Sequence, residues 1–215
     1  MNRVLRFLFF ALVVRPVVTI VLGLNVRNRE QLPADGPAVL VANHNSHLDT
    51  LVLMVLFPWR MLPRLRPVAA ADYFFRNRFW KWFSLNIIGI IPLDRDARRS
   101  DNRRHPMAPI SDSLGQGDIV ILFPEGSRGD PERLGEFQTG VAHLAKLHPD
   151  VPFYPIYLHG LGKALPKGER LLVPFFCDVF VGGPLRYDGD KAAFMATMVE
   201  RINTLAAEGH FEPWE

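Results

Sequence analysis

The stretch Ala38-Val-Leu-Val-Ala42, followed directly by Asn43-His44-Asn45-Ser46-His47-Leu48-Asp49, decides the fold of this chain. Its first five residues form a short apolar run, which predicts a buried strand. Ser46 and Asp49 have the spacing of a capping box, so we predict a helix that starts here and continues through Leu51–Phe57. A strand that leads closely into a helix is the repeating unit of α/β proteins.

His44 and Asp49 allow two interpretations of this stretch. Within one continuous helix, residues five apart lie about 140° apart on the surface, so the two side chains can meet only if His44 precedes the helix. In that arrangement the carboxylate orients the imidazole, and the pair can act as a general base with its positioning acid. Alternatively, Asp49 only caps the helix and His44 is incidental.

Strand-like and helix-like segments alternate along the rest of the chain. Further strands are predicted at 67–71, 87–91, 118–123, 153–158 and 173–181, and helices at 140–147 and 191–207. This order predicts a single α/β domain with a mostly parallel central sheet flanked by helices. In such sheets, functional sites lie at the carboxyl ends of the strands, where His44, Asp94-Arg95 and Glu125 are expected.

Composition narrows the class of protein. A length of 215 residues suits one domain with a substantial core. The single cysteine, Cys177, excludes an internal disulfide, and the absence of a Cys/His cluster predicts no metal site. The net charge of +3 favours an anionic partner. Because aromatic residues accompany the basic ones in 73–83, we expect a membrane surface rather than nucleic acid, and partial packing of this segment in the core is the alternative.

The N-terminus carries two apolar runs, 7–14 and 17–24, separated by Arg15-Pro16. A spanning helix needs about 20 apolar residues, and an arginine at mid-depth is costly, which disfavours a single straight transmembrane span. Residues 1–26 are therefore predicted as a kinked or paired helical segment that dips into one leaflet, with Pro16 opening its second half. Residues 27–215 would form the globular domain. The alternative is a buried core helix.

A second polar motif, Phe123-Pro-Glu125-Gly126-Ser127-Arg128, follows the strand predicted at 118–123. Backbone N–H groups in a glycine turn, together with an arginine, make a suitable cradle for a phosphate or carboxylate. The motif is not a nucleophile elbow, because the Gly-x-Ser-x-Gly spacing is absent. Taken alone, it is equally consistent with a surface turn that carries a salt bridge.

Four blocks together resemble the glycerolipid acyltransferases, the enzymes similar to 1-acylglycerol-3-phosphate acyltransferase. The blocks are 43–49, 89–95, 123–128 and 151–155, and the resemblance covers residues 25–185. It implies that His44 is the general base towards an acceptor hydroxyl and that Asp49 orients it. It further implies an acyl-CoA or acyl carrier protein donor, a lysolipid acceptor and no cofactor.

The resemblance also assigns the acceptor-binding residues and a location. The residues expected to bind the acceptor are Arg95, Glu125, Gly126, Ser127 and Arg128. The two arginines would be partners of a phosphate or another anion. An enzyme of this kind is expected at the cytoplasmic face of the cell membrane, as a peripheral or monotopic protein.

Two segments depart from the family pattern. Many lysophosphatidate acyltransferases have a lysine-rich block before the glycine motif, but the equivalent 68–73 contains no lysine. The usual basic residue of the block after Glu125 is replaced by the neutral Gln138. Since both changes remove positive charge, a lysolipid without a phosphate, such as a lyso-ornithine lipid, stays open as acceptor.

Three further alternatives remain at the level of the sequence. The chain could be a hydrolase or a transacylase, or a non-catalytic lipid-binding module that docks on membranes. Outside the His44 motif the histidines have no comparable context and are predicted to lie in loops or on the surface: His105, His143, His148, His159 and His210.

Overall fold

A seven-stranded sheet forms the centre of the molecule. The computed structural model describes residues 2–71, 77–93, 106–127, 129, 132–165 and 171–211. The strands are β1 (Gly23–Arg27), β2 (Ala38–Ala42), β3 (Leu65–Ala70), β4 (Ile91–Leu93), β5 (Ile119–Leu122), β6 (Phe153–His159) and β7 (Phe176–Val181). Their order is β1-β7-β6-β2-β5-β3-β4, and β6–β7 is the antiparallel pair. The predicted mostly parallel sheet is confirmed.

Helices cover both faces of this sheet. They are α1 (Arg3–Val21), α2 (Leu48–Val55), α3 (Arg78–Phe83), α4 (Ala108–Gly115), α5 (Gly140–Leu147), α6 (Leu161–Ala164) and α7 (Lys191–Glu208). The central strand β2 is fully buried, and its side chains alternate between the two cores. Leu40 packs with α1 and α2, whereas Val39 and Val41 pack with α4, α5 and α7.

The N-terminal helix α1 packs on the domain through one stripe of residues. The buried positions recur every four residues: Arg6, Phe10, Val14, Val18 and Leu22. A four-residue repeat drifts around an α-helix of 3.6 residues per turn. The π-helical turns over Phe10–Val14 and Val17–Val21 widen the helix and so keep this stripe facing the domain.

One helix runs through Arg15 and Pro16, so the predicted paired form of this segment is wrong. By length and composition it is apolar enough to cross a membrane, and only 22% of its most apolar window is buried. The strand β1 spans Gly23–Arg27, which means that the predicted boundary between residues 26 and 27 falls inside the sheet. The last residues of the N-terminal segment are therefore part of the α/β fold.

Arg6 fixes α1 to the domain. Its guanidinium is buried, and Nη2 donates to the carbonyl of Leu65 at 2.9 Å. Gly89 lies against it so closely that a Cβ there would be 2.7 Å from Nη1. Burial, with the neighbouring charge of Arg66, lowers the pKa of Arg6 to about 10. Peeling α1 away would expose its apolar stripe and break the bond between Arg6 and Leu65.

The strand predicted at 87–91 is wrong. Ser84–Ile88 forms a π-helical turn that continues α3, and Gly89 ends it in the left-handed region with a φ of 79°. The strand β4 begins only at Ile91. A short run of buried isoleucines fits a strand and a buried helical turn equally well, so its pattern could not decide between them.

Candidate active site

His44 and Asp49 meet at the carboxyl end of β2. Nδ1 of His44 lies 2.9 Å from Oδ2 of Asp49. The Asp49 side chain is fully buried, whereas 18% of the His44 side chain is exposed. Burial raises the pKa of Asp49, and the hydrogen bond to His44 opposes that rise. Because Nδ1 faces the carboxylate, Nε2 is the ring nitrogen left to take a proton from a bound molecule.

The same carboxylate also organises the turn before α2. Oδ2 of Asp49 accepts hydrogen bonds from the backbone N–H groups of Asn45 at 2.7 Å and Ser46 at 2.9 Å. The hydroxyl of Ser46 accepts from the N–H of Leu48 at 3.3 Å. The helix begins at Leu48, as predicted, but its N-cap position is His47 rather than Ser46. One oxygen of Asp49 therefore supports the turn and also contacts the imidazole of His44, so the capping role does not exclude the pairing.

Glu125 joins the second motif to the first. Its Oε1 accepts a hydrogen bond from the backbone N–H of His44 at 3.0 Å. The N–H of Gly129 donates to the carbonyl of His44 at 3.2 Å. Phe123 stacks on the imidazole with 4.2 Å between ring centroids. Burial raises the pKa of Glu125. The second motif thus holds the backbone and the ring of His44.

The other predicted acceptor-binding residues that the structure describes, Gly126 and Ser127, follow Glu125 in the turn after β5. Gly126 turns the chain after β5 with a φ of 71°, and its N–H donates to the carbonyl of Phe123 at 3.1 Å. Ser127 follows it and is exposed. Arg95 and Arg128 lie outside the described residues. Acceptor binding by all five residues stays a prediction.

Asn43 fixes the end of β2 to β6 in a way that the sequence reasoning missed. Its side-chain amide donates to the carbonyl of Leu158 at 2.9 Å and accepts from the N–H of Leu158 at 2.7 Å. A buried polar residue directly before the histidine was the available signal, because such residues need partners. These two bonds fix the position of the His44 turn relative to β6.

The prediction that His159 lies in a loop or on the surface is wrong. It ends β6, is 7% exposed, and its Nδ1 lies 2.9 Å from Oε2 of Glu132. The signal in the sequence was its place directly after the apolar run 153–158, which matches the place of His44 after β2. Among the described residues, no group of three His, Cys, Asp or Glu side chains is arranged to hold a metal ion.

Residues 23–159 match the sequence profile of the family described as Acyltransferase, which is more than half of the chain. The chain belongs to the Acyltransferase family. This acyltransferase-family chain is 28% identical over 181 residues to the 1-acyl-sn-glycerol-3-phosphate acyltransferase alpha of Bos taurus, with 82% of this chain and 59% of that protein covered.

Two further proteins are similar to this member of the Acyltransferase family, one in sequence and one in fold. It is 32% identical to the lyso-ornithine lipid O-acyltransferase of Rhizobium meliloti (strain 1021), over 81% of this chain and 62% of that protein. The crystal structure of the 1-acyl-sn-glycerophosphate (LPA) acyltransferase from Thermotoga maritima shares the fold, with a TM-score of 0.74 at 16% identity. That superposition covers 97% of this chain and 81% of the other. The chain thus spans about three fifths of the length of these curated relatives.

Proposed function

We propose that this protein transfers a fatty acyl group from an acyl thioester to the hydroxyl of a lysolipid. The observation that carries the proposal is the contact of 2.9 Å between Nδ1 of His44 and the fully buried Asp49. A histidine held in this way, and itself partly exposed, is suited to general-base work on a hydroxyl. Membership of the Acyltransferase family supports the same reaction type.

The reaction follows from the roles of the two side chains. Nε2 of His44 takes the proton of the acceptor hydroxyl as that oxygen forms a bond to the thioester carbonyl carbon. The negative charge of Asp49 stabilises the imidazolium that results. The tetrahedral intermediate then collapses, the carbon–sulfur bond breaks, and the thiolate takes the proton from His44. The products are the acylated lipid and a free thiol, and no acyl-enzyme is needed.

The acceptor is proposed as a lysolipid and the donor as acyl-CoA or acyl carrier protein. Relatives named for 1-acylglycerol phosphate and for lyso-ornithine lipid both support the lysolipid class. Glu125 contacts the backbone of His44, and Gly126 and Ser127 follow it in the turn after β5. With Arg95 and Arg128 they form the acceptor-binding set that we propose from the motifs.

A location at the cytoplasmic face of the cell membrane, as a peripheral or monotopic protein, is part of the proposal. One face of α1 packs on the domain, and its other face exposes apolar side chains such as Leu12 at 71% and Ile20 at 81%. Phe79, Trp80 and Trp82 of α3 are also exposed. A helix that is apolar on all sides needs protein on one side and lipid on the other.

The test is acyl transfer by the purified protein with a panel of lysolipids, including lysophosphatidate and lyso-ornithine lipid. His44→Ala is expected to remove turnover while the melting temperature is retained, and His47→Ala, an exposed histidine in the same turn, serves as the control. Retained transfer in His44→Ala would contradict the proposal. Free fatty acid as the main product would instead favour a hydrolase. If fatty acid is released and no lysolipid is acylated, the transferase is excluded.

A further inference from the structure

Glu132 lies beyond the second motif and has a carboxylate that the proposed reaction does not use. Only 2% of its side chain is exposed. Oε2 accepts a hydrogen bond from the N–H of Gly160 at 2.9 Å, and Oε1 accepts from the N–H of Gly162 at 3.1 Å. Oε2 also lies 2.9 Å from Nδ1 of His159. A buried carboxylate that accepts two backbone N–H bonds and lies in close contact with an imidazole is held firmly, because a charged group left unpaired in the interior is costly.

The backbone and the surroundings of Glu132 show the same constraint. Its φ is 60°, in the left-handed region that residues with a side chain rarely adopt. Such a conformation persists where the surrounding structure over-determines it. Burial, followed by the charge of Glu132, raises the pKa of Tyr157 to about 12. The pKa of Cys177 also rises to about 12, through burial and then the charges of Glu132, Asp178 and Asp49.

Glu132 belongs to the connection between β5 and α5, called here the 124–138 loop, of which the structure describes 124–127, 129 and 132–138. Other described residues of this loop touch His44. The loop closes on itself, since the N–H of Gln138 donates to the carbonyl of Pro124 at 2.9 Å. Near its start, Glu125 and Gly129 make hydrogen bonds with the N–H and the carbonyl of His44. Glu132 adds a separate attachment, which ties the far part of the loop to the end of β6 and the start of α6.

The helix α6 leads back from Glu132 to the catalytic turn. At its end, the carbonyl of Leu165 accepts a hydrogen bond from the hydroxyl of Ser46 at 3.1 Å. Ser46 in turn donates its N–H to Asp49. Hydrogen bonds thus connect three segments in a closed circuit. The 124–138 loop is bonded to the turn of His44 and, through Glu132, to the start of α6, and the end of α6 is bonded to Ser46 in the same turn as His44.

We infer that Glu132, paired with His159, is a positioning residue that holds the 124–138 loop against β6 and α6 and so fixes the acceptor-binding motif relative to His44. This inference rests on the proposed function, because that loop carries Glu125, Gly126 and Ser127. Glu132 acts through the loop and does not touch the reacting atoms. Substitution of Glu132 therefore weakens binding of the acceptor more than it slows the chemical step.

The decisive variant is Glu132→Gln. Its amide NH2 group replaces one carboxylate oxygen, so it meets a backbone N–H that donates to Glu132 in the wild type. Loss of charge-assisted bonds of this kind is expected to raise the KM for the lysolipid about tenfold, while kcat and the KM for acyl-CoA stay within about twofold. Glu132→Asp keeps the charge and should restore part of the acceptor affinity. Glu136→Gln makes the same charge change at an exposed position of the same loop and should alter none of these values.

Amide hydrogen exchange tests the loop without any reference to activity. In Glu132→Gln, the amides of 124–138 should exchange faster while those of β2 and β5 keep their protection. An equal rise in both KM values, or a lowered melting temperature with an unchanged KM for the lysolipid, would reduce Glu132 to a structural residue. Unchanged exchange in the loop would overturn the inference. If the wild type transfers no acyl group, the proposed function fails, and the exchange data still decide whether Glu132 holds the loop.

A second variant covers the case in which Glu132→Gln does not fold. His159→Gln removes the imidazole that lies 2.9 Å from Oε2 of Glu132 but leaves the two backbone bonds to Glu132 in place. A folded His159→Gln protein should show a smaller rise in the KM for the lysolipid, together with faster exchange in 124–138. If this folded variant shows neither a higher KM for the lysolipid nor faster exchange in 124–138, the proposed role of the contact between Glu132 and His159 is overturned.

Discussion

The backbone N–H of His44 donates to Oε1 of Glu125 at 3.0 Å, although 81 positions separate the two residues in the chain. This bond joins the turn after β2 to the turn after β5, and the two strands are parallel neighbours in the sheet. The base and the second motif thus form one structural unit. Four predictions follow from this arrangement and from the way α1 packs on it.

Asp49→Asn is expected to lower kcat by about 10²- to 10⁴-fold with little change in the melting temperature. The amide oxygen can still accept from the N–H groups of Asn45 and Ser46, but the charge that stabilises the imidazolium is lost. Asp49→Ala leaves those two buried donors unpaired, at about 1–3 kcal/mol each, and should also destabilise the fold. Kinetics and thermal unfolding of both variants separate the two roles, and near wild-type turnover in Asp49→Asn would refute the catalytic one.

Glu125→Gln should change how stability depends on pH. Burial raises the pKa of Glu125 above its ordinary value of 4.5, so the folded protein binds this proton more tightly than the unfolded chain does. The contribution of Glu125 to the free energy of unfolding therefore falls as the pH rises from that ordinary value through the higher folded value. Urea unfolding across this range should show the wild type losing stability relative to Glu125→Gln. Parallel curves for the two proteins would contradict the expectation.

Gly89→Ala should destabilise the protein by about 1–2 kcal/mol or more. The φ of 79° disfavours a side chain, and the new Cβ would lie 2.7 Å from Nη1 of the buried Arg6. Gly115→Ala is the matched control, because a Cβ there has nothing within 4 Å and Gly115 ends a helix. That control should be neutral or stabilise by about 0.4–1 kcal/mol. Unfolding free energies measure both, and equal effects would argue against a tight contact between α1 and Gly89.

Leu12→Glu combined with Ile20→Glu should release the protein from anionic lipid vesicles. Both side chains are highly exposed on α1, so the fold should survive, while each lost apolar contact with lipid is worth about 1.5–3 kcal/mol. Leu147→Glu, an exposed leucine of α5 on the opposite face of the sheet, is the control. Co-sedimentation with vesicles reads out the effect. Deleting residues 1–26 would be a poorer test, because it removes most of β1.

The sequence correctly predicted the elements whose hydrophobic pattern fits only a strand or only a helix. The apolar run 38–42 became the central strand, and the helix predicted at 140–147 was found with the same bounds. The isoleucines near Gly89 were assigned wrongly, because a short apolar run buries equally well as a strand or as a helical turn. His159 was predicted to lie in a loop or on the surface because no motif surrounds it, although it directly follows the apolar run 153–158. Its contact with Glu132 could not be predicted, because the two residues come from separate segments of the chain.

By itself, the sequence determined the α/β class and the family blocks, because apolar runs and motif spacings are local properties of the chain. It allowed a contact between His44 and Asp49, and the structure shows that contact. Only the tertiary structure decided how Glu125 holds the backbone of His44 and how Glu132 meets His159. It also decided that the side chain of Arg6 is buried between α1 and the sheet. These contacts join residues that are distant in the chain, and the order of strands in the sheet, rather than any local spacing, brings them together.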